Sequence, residues 1–251
     1  VLWMTALTGL LVGMAAFFTC LPYSTNKPGA LHVPMRDILR VAVPLWGVAI
    51  FLNIADWYGL ATASATLGIY EAGLYRVAAQ VAGILSIITM GLFSIFSPQF
   101  AEAHAAGNMK RVAHLAGQAT RLSAFFCLPV ALLIFIFAGP VLDIFGPEFD
   151  QATTVLRIVV VGQAIYTMTG PSGLLLAMTG HERTNLVQTI GSSAILLISA
   201  PLAAQYGGLF GIAICMSLVV IGRNLASIWS VRRLTGINVF TGTIKEKVAA
   251  S

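Results

Sequence analysis

The chain alternates long apolar runs with short polar breaks, and the lengths of the runs set the expected architecture. Residues 77–101 pass 25 positions without a charged side chain, and a polar turn carrying Glu71 and Arg76 leads into them. A helix rises ~1.5 Å per residue, so about 20 apolar residues cross a hydrocarbon core ~30 Å thick. The whole stretch, 68–102, is therefore read as a membrane span with an arginine at its mouth and Gln80 one turn further in. Comparable runs predict six more spans, at about 1–21, 41–60, 122–145, 156–178, 185–204 and 209–231. These runs are long and lack strict alternation of apolar and polar residues, which excludes a closed β-barrel. The fold class that follows is all-α: a polytopic membrane protein with seven transmembrane helices.

The breaks carry their own signals. Residues 22–40 contain three prolines and one glycine together with Lys27, Arg36 and Arg40, and read as a basic connector. Residues 101–121 are rich in alanine and polar groups. They read as two short helices on the membrane surface, separated near Gly107 and Asn108, with Arg111, His114 and Arg121 on the wet side. Pro129 and Pro140 should kink or end the fourth span, and the pair Gly170-Pro171 interrupts the fifth. Residues 205–208, Gln-Tyr-Gly-Gly, form a tight turn between the last two spans. The domain division expected is 1–21 as the last helix of one lobe, 22–40 as an interlobe connector, 41–236 as a six-helix lobe and 237–251 as a tail.

Composition narrows the class. The chain is 58% hydrophobic and 9% charged, with a mean hydropathy of +0.89, whereas soluble domains carry about 25% charged residues. Lipid is therefore the main solvent, and a soluble enzyme is excluded. The formal net charge of +5 would elsewhere suggest nucleic acid, but basic residues of membrane proteins collect on cytoplasmic loops, and no nucleic-acid partner is expected. With the spans alternating, eleven Lys and Arg fall on one side and only Arg76 and Arg157 on the other, with Arg223 left inside a span. That bias places the first residue outside and the C-terminus in the cytoplasm. Val1 begins inside an apolar run with no basic segment before it. We read a membrane helix rather than a signal peptide, and the chain as the C-terminal part of a longer protein.

The segments LGIYEAGLYRVAAQVAGI, FSPQFAEAHAAGNMKRV, FAGPVLDIFGPEFDQATTVLRIVVVGQ, LLLAMTGHERTN and GIAICMSLVVIGRN, in that order and spacing, resemble the oligosaccharide flippases of bacterial polysaccharide synthesis. These share a superfamily with multidrug and toxin extrusion transporters and lipid II flippases, and the likeness covers most of residues 38–236. It implies two six-helix lobes in a V around a central cavity, here with the N-terminal lobe of the same chain almost wholly missing and residues 1–21 as its last helix. The implied cargo is a polyprenyl-pyrophosphate-linked oligosaccharide crossing the bacterial cytoplasmic membrane, where the protein would also meet membrane lipid.

Ionisable groups inside spans are costly and mark candidate sites. Asp56 and Arg76 approach the same side of the membrane and would be close enough to pair. Either Arg76 holds a pyrophosphate or acidic sugar, with Asp56 orienting it or competing for it, or the two form an interfacial ion pair between helices. Arg223 lies nine residues, roughly 13 Å, inside Arg232. With Asn224 beside it as a further candidate for cargo binding, it would meet an anionic cargo on the loading side, with Arg76 on the release side, or else snorkel past Asn224 to the headgroups. Gln80, Asn53, Gln163, Asn185 and Gln188 suit either sugar hydroxyls or helix-to-helix bonding. Gly170-Pro171 is a hinge for alternating access or a fixed kink. Trp46, Trp57, Tyr58, Tyr70 and Tyr75 read as an interfacial aromatic belt. The three cysteines are far apart and read as small buried hydrophobes. The four histidines show no metal-ligand spacing, there is no phosphate-binding glycine loop and no catalytic arrangement, so neither cofactor nor enzyme activity is expected. The rival readings are a multidrug or cation antiporter, for which only Asp56 offers a membrane carboxylate, and a membrane enzyme of glycan assembly, for which the outer connections are short.

Overall fold

The computed structural model describes residues 35–244. The expected first span, most of the connector, and positions 245–251 of the tail lie outside these residues. Within them the chain is almost wholly helical. Helix α1 covers Met35–Thr66, α2 Ile69–Ala82, α3 Ile84–Ala105, α4 Met109–Ile136, α5 Ala138–Asp143, α6 Thr153–Thr169, α7 Pro171–Met178 and α8 Glu182–Leu234. A 3-10 turn, Pro147–Ala152, precedes α6, and two short strands, β1 (Ile237–Asn238) and β2 (Thr243–Ile244), close the described chain.

Among the described residues, five helical runs are long and apolar enough to cross a membrane: Ala42–Thr66, Ile69–Ala105, Met109–Ile136, Pro147–Met178 and Glu182–Leu234. The last is a hairpin. Its backbone leaves helical geometry at Gly208, at φ 55° and ψ −141°, a region essentially reserved for glycine. Its two arms then run side by side, Ser199 lying 3.0 Å from the Cys215 sulfur and Gln188 Nε2 donating to Ser230 Oγ at 2.6 Å. The turn expected at 205–208 is thus where the chain reverses, and the described residues make six passages in 41–236.

Three details depart from the sequence reading. Residues 101–121 form no separate surface helices. Helix α3 carries on to Ala105, and α4 runs unbroken from Met109 to Ile136. Between them is a turn capped by Asn108, whose Oδ1 accepts from the Arg111 backbone N–H at 3.0 Å. Arg111, His114 and Arg121 do lie on the exposed face, but as turns of α4 that outrun the apolar span. Next, the long charge-free run is two helices that meet at Gly83. Finally, 237–244 is a folded hairpin, with Ile237 paired to Ile244 and both Ile237 and Val239 buried. Its Gly242 lies against Gly117 of α4, where an added Cβ would come within 2.7 Å of the Gly242 Cα. Glycine at both places allows the two backbones to touch.

In lipid, helices associate through packing more than through a hydrophobic drive, so small residues mark the contacts. Ala63, Ala78, Ala82, Ala131, Ala138, Ala152 and Ala204 are buried in one apolar cluster with Leu85, Val155 and Leu156. A second cluster, toward the β-hairpin end, holds Ala103, Ala113, Ala116, Ala119, Phe100, Leu175 and Val231. Helix α3 passes from one to the other, and so does the α6–α7 pair.

Candidate functional site

Five helices leave a cavity of about 560 Å³ between them. Each contributes a stripe at helical spacing: Leu52, Asp56 and Leu60 from α1; Arg76 and Gln80 from α2, then Ser86, Thr89 and Phe93 from α3; Val159, Gln163 and Tyr166 from α6; Ser192, Leu196, Met216, Val220 and Arg223 from α8. Positions three and four apart share a helix face, so Arg76 and Gln80 turn the same way into the cavity. The stripe continues from α2 into α3 across the break at Gly83.

Asp56, Arg76, Gln80 and Arg223 therefore share one chamber. The expected Asp56–Arg76 ion pair is not formed. The ion pair among the described residues is Arg111 with Glu102, at 3.2 Å. Each cavity arginine lies instead against an aromatic ring: Arg76 is 5.8 Å from the ring centre of Trp57, and Arg223 is 5.8 Å from that of Tyr166. Such contacts stabilise a cation without neutralising it. Asn224, expected beside the cargo, is buried, does not line the cavity, and donates through Nδ2 to the Val220 carbonyl in its own helix at 2.8 Å.

The remaining polar residues divide by role. Gln163 Nε2 donates to Ser86 Oγ at 2.8 Å, and Gln188 donates to Ser230 Oγ and the Ala226 carbonyl. Asn53 turns back to the Ala49 carbonyl of its own helix. Of the expected aromatic belt, Trp46 and Tyr70 are exposed, whereas Tyr75 is buried in the core and Tyr58 donates to the Leu197 carbonyl. Cys127 and Cys215 are free and buried.

Both helix breaks flank the cavity. At Gly170 the backbone stays in the right-handed helical region, φ −50° and ψ −37°, and α7 starts with Pro171. Proline removes the donor that would reach the Thr167 carbonyl four residues back, and nearby hydroxyls bond carbonyls around the joint: Thr169 Oγ1 donates to Ile165 O, and Ser172 Oγ to Thr169 O at 2.8 Å. Side-chain bonds thus brace the joint between α6 and α7. Thr167 links the two breaks, its hydroxyl 3.2 Å from that of Thr89 and 3.4 Å from the Leu85 carbonyl.

The sequence reading missed Tyr166, Ser86, Ser192 and Ser217 as cavity residues. Their signal was a polar position every three or four residues within otherwise apolar helices.

A family model described as MatE matches residues 61–204, more than half of the chain. The chain belongs to the MatE family, and its long apolar helices make it a multi-pass membrane protein. Two solved structures share the fold. One is the outward-facing conformation of a multidrug resistance MATE family transporter of the MOP superfamily, at TM-score 0.69 and 15% identity, covering 85% of this chain and 48% of that one. The other is a MOP superfamily transporter from Pyrococcus furiosus Vc1 (DSM3638), described by a reverse polarity of its binding pocket that suggests a different function. It matches at TM-score 0.69 and 14% identity, covering 85% of this chain and 48% of that one. The chain thus spans about half the length of each. No curated protein sequence matches it.

Proposed function

We propose that the protein is a flippase that carries a polyprenyl-pyrophosphate-linked oligosaccharide across the bacterial cytoplasmic membrane for surface polysaccharide synthesis. In this reading residues 41–236 are one of two lobes, the turn at Gly208 faces outward, and the β-hairpin end faces the cytoplasm. The observation that carries it is the charge inside the lobe: two guanidinium groups and one carboxylate line a chamber inside a membrane bundle. A cation in such a place needs an anionic partner or water. A pyrophosphate suits guanidinium, whose planar fork binds two oxygens at once. Gln80, Ser86, Ser192 and Ser217 in the same wall offer hydrogen bonds to sugar hydroxyls.

A second reading is a multidrug or cation antiporter, and one observation favours it: Asp56, a carboxylate in the same wall, suits a cationic solute or coupling ion. The excess of positive charge weighs the other way. A membrane enzyme is disfavoured, because the connections at the Gly208 end of the lobe are short, the longest lying between Asp143 and Pro147 with its 3-10 turn.

The test is complementation. In cells whose own flippase is deleted, full-length protein should restore surface glycan, while Arg76→Ala and Arg223→Ala forms should insert normally and restore far less. Normal surface glycan with both arginines replaced would contradict the reading.

A further inference from the structure

We infer that Tyr166 and Trp57 are positioning residues, whose ring faces hold the two cavity arginines with their charge and N–H edges free for a diphosphate. The inference rests on the flippase reading for its ligand class, but its geometry stands by itself. A guanidinium in a membrane bundle must be held by something. A carboxylate partner would hold it by using both its charge and its donors. Asp56 is in the same chamber, yet it forms no ion pair with either arginine among the described residues.

The rings lie where that role needs them. Tyr166 is on α6, one turn beyond Gln163 on the same stripe, and itself lines the cavity. Trp57 follows Asp56 on α1, is 61% exposed and reaches the cavity only through its contact with Arg76. Arg223 and Arg76 each lie 5.8 Å from their ring centre, within the range where a ring face attracts a cation. Ring contacts elsewhere on the lobe do a different job. Arg157 lies over Phe135 but also donates through Nε to the Phe135 carbonyl at 3.2 Å, and so is spent on the end of α4. Arg233 lies over Trp229 in the last turns of α8. Among the described residues with such a ring contact, Arg76 and Arg223 line the cavity. A ring at this distance attracts the cation without neutralising it, and a guanidinium binds two oxygens of one anion through its planar fork.

The experiment is calorimetric titration of inorganic pyrophosphate into purified full-length protein, with thermal midpoints recorded for every variant. Wild type should bind. Tyr166→Phe, which keeps the ring, should bind within about twofold of wild type, whereas Tyr166→Leu and Trp57→Leu should each bind about threefold to tenfold more weakly at unchanged thermal midpoint. Trp57 is exposed, so its variant is read even where Tyr166→Leu fails to fold. Equal pyrophosphate affinity in wild type and a folded leucine variant, or no pyrophosphate binding by wild type, would overturn the inference. The two proposals fail separately. Ring-dependent pyrophosphate binding in a protein that moves no lipid-linked oligosaccharide sinks only the flippase reading. Glycan transport with ring-independent binding sinks only this one.

Discussion

The Gln163 amide of α6 donates to Ser86 Oγ of α3 at 2.8 Å, just past the break at Gly83 and a short way before the break at Gly170. The bond ties together two interrupted helices where both border the cavity. Around it, Thr167 reaches Thr89 and the Leu85 carbonyl. If these breaks bend during transport, Pro171 matters for motion rather than for folding. Pro171→Ala restores a donor toward the carbonyl four residues back and should stiffen the joint. We expect insertion and thermal midpoint unchanged or raised, with a transport rate at least about threefold lower. An unchanged rate would make the site a fixed kink.

Asp56 separates the two transport readings. In a carrier of anionic headgroups it competes with the cargo for the arginines, so Asp56→Asn should preserve or increase glycan transport and tighten pyrophosphate binding. In a cation antiporter the same change removes the ion-binding group and should abolish efflux. Surface-glycan level and dye efflux, measured on the same variant, decide between them.

Gly208 holds the hairpin turn of α8 at φ 55° and ψ −141°. A side chain there is strained even though the space around it is open. Gly208→Ala should cost about 1–3 kcal/mol, seen as a lowered thermal midpoint in detergent, while Gly207→Ala beside it, also in open space, should change little.

The β-hairpin is held by a backbone contact. A Cβ on Gly117 would meet Gly242 Cα at 2.7 Å, so Gly117→Val should displace the hairpin and unseat Ile237 and Val239 from their buried positions. Limited proteolysis should then cut near residues 237–244 in the variant and spare the wild type.

Much of this lobe was readable from residue types alone, because a lipid solvent makes every long apolar run and every charge inside one informative. Gly207-Gly208 announced the hairpin turn, and Asp56, Arg76 and Arg223 stood out against their surroundings. What was missed has physical reasons. The helices through 101–121 extend beyond the apolar core, so their polar composition resembled a surface segment. The 237–244 hairpin buries two side chains, Ile237 and Val239, too few to leave a pattern. Gly83 is one glycine in an apolar run, where it also fits an unbroken helix. That Arg76 would find Trp57 rather than Asp56 depends on how α1 and α2 rotate against each other, and no spacing within either helix records that.

The central claim, that the arginine-lined chamber receives an anionic lipid headgroup, is tested most directly in proteoliposomes. Full-length protein would be reconstituted with a fluorescent prenyl-diphosphate-linked oligosaccharide, and its movement between leaflets followed by quenching from outside. We predict protein-dependent movement that falls at least about tenfold in Arg223→Gln and Arg76→Gln, with no movement of a cationic dye. Movement of the dye driven by an ion gradient, with the labelled lipid left in its original leaflet, would contradict the account.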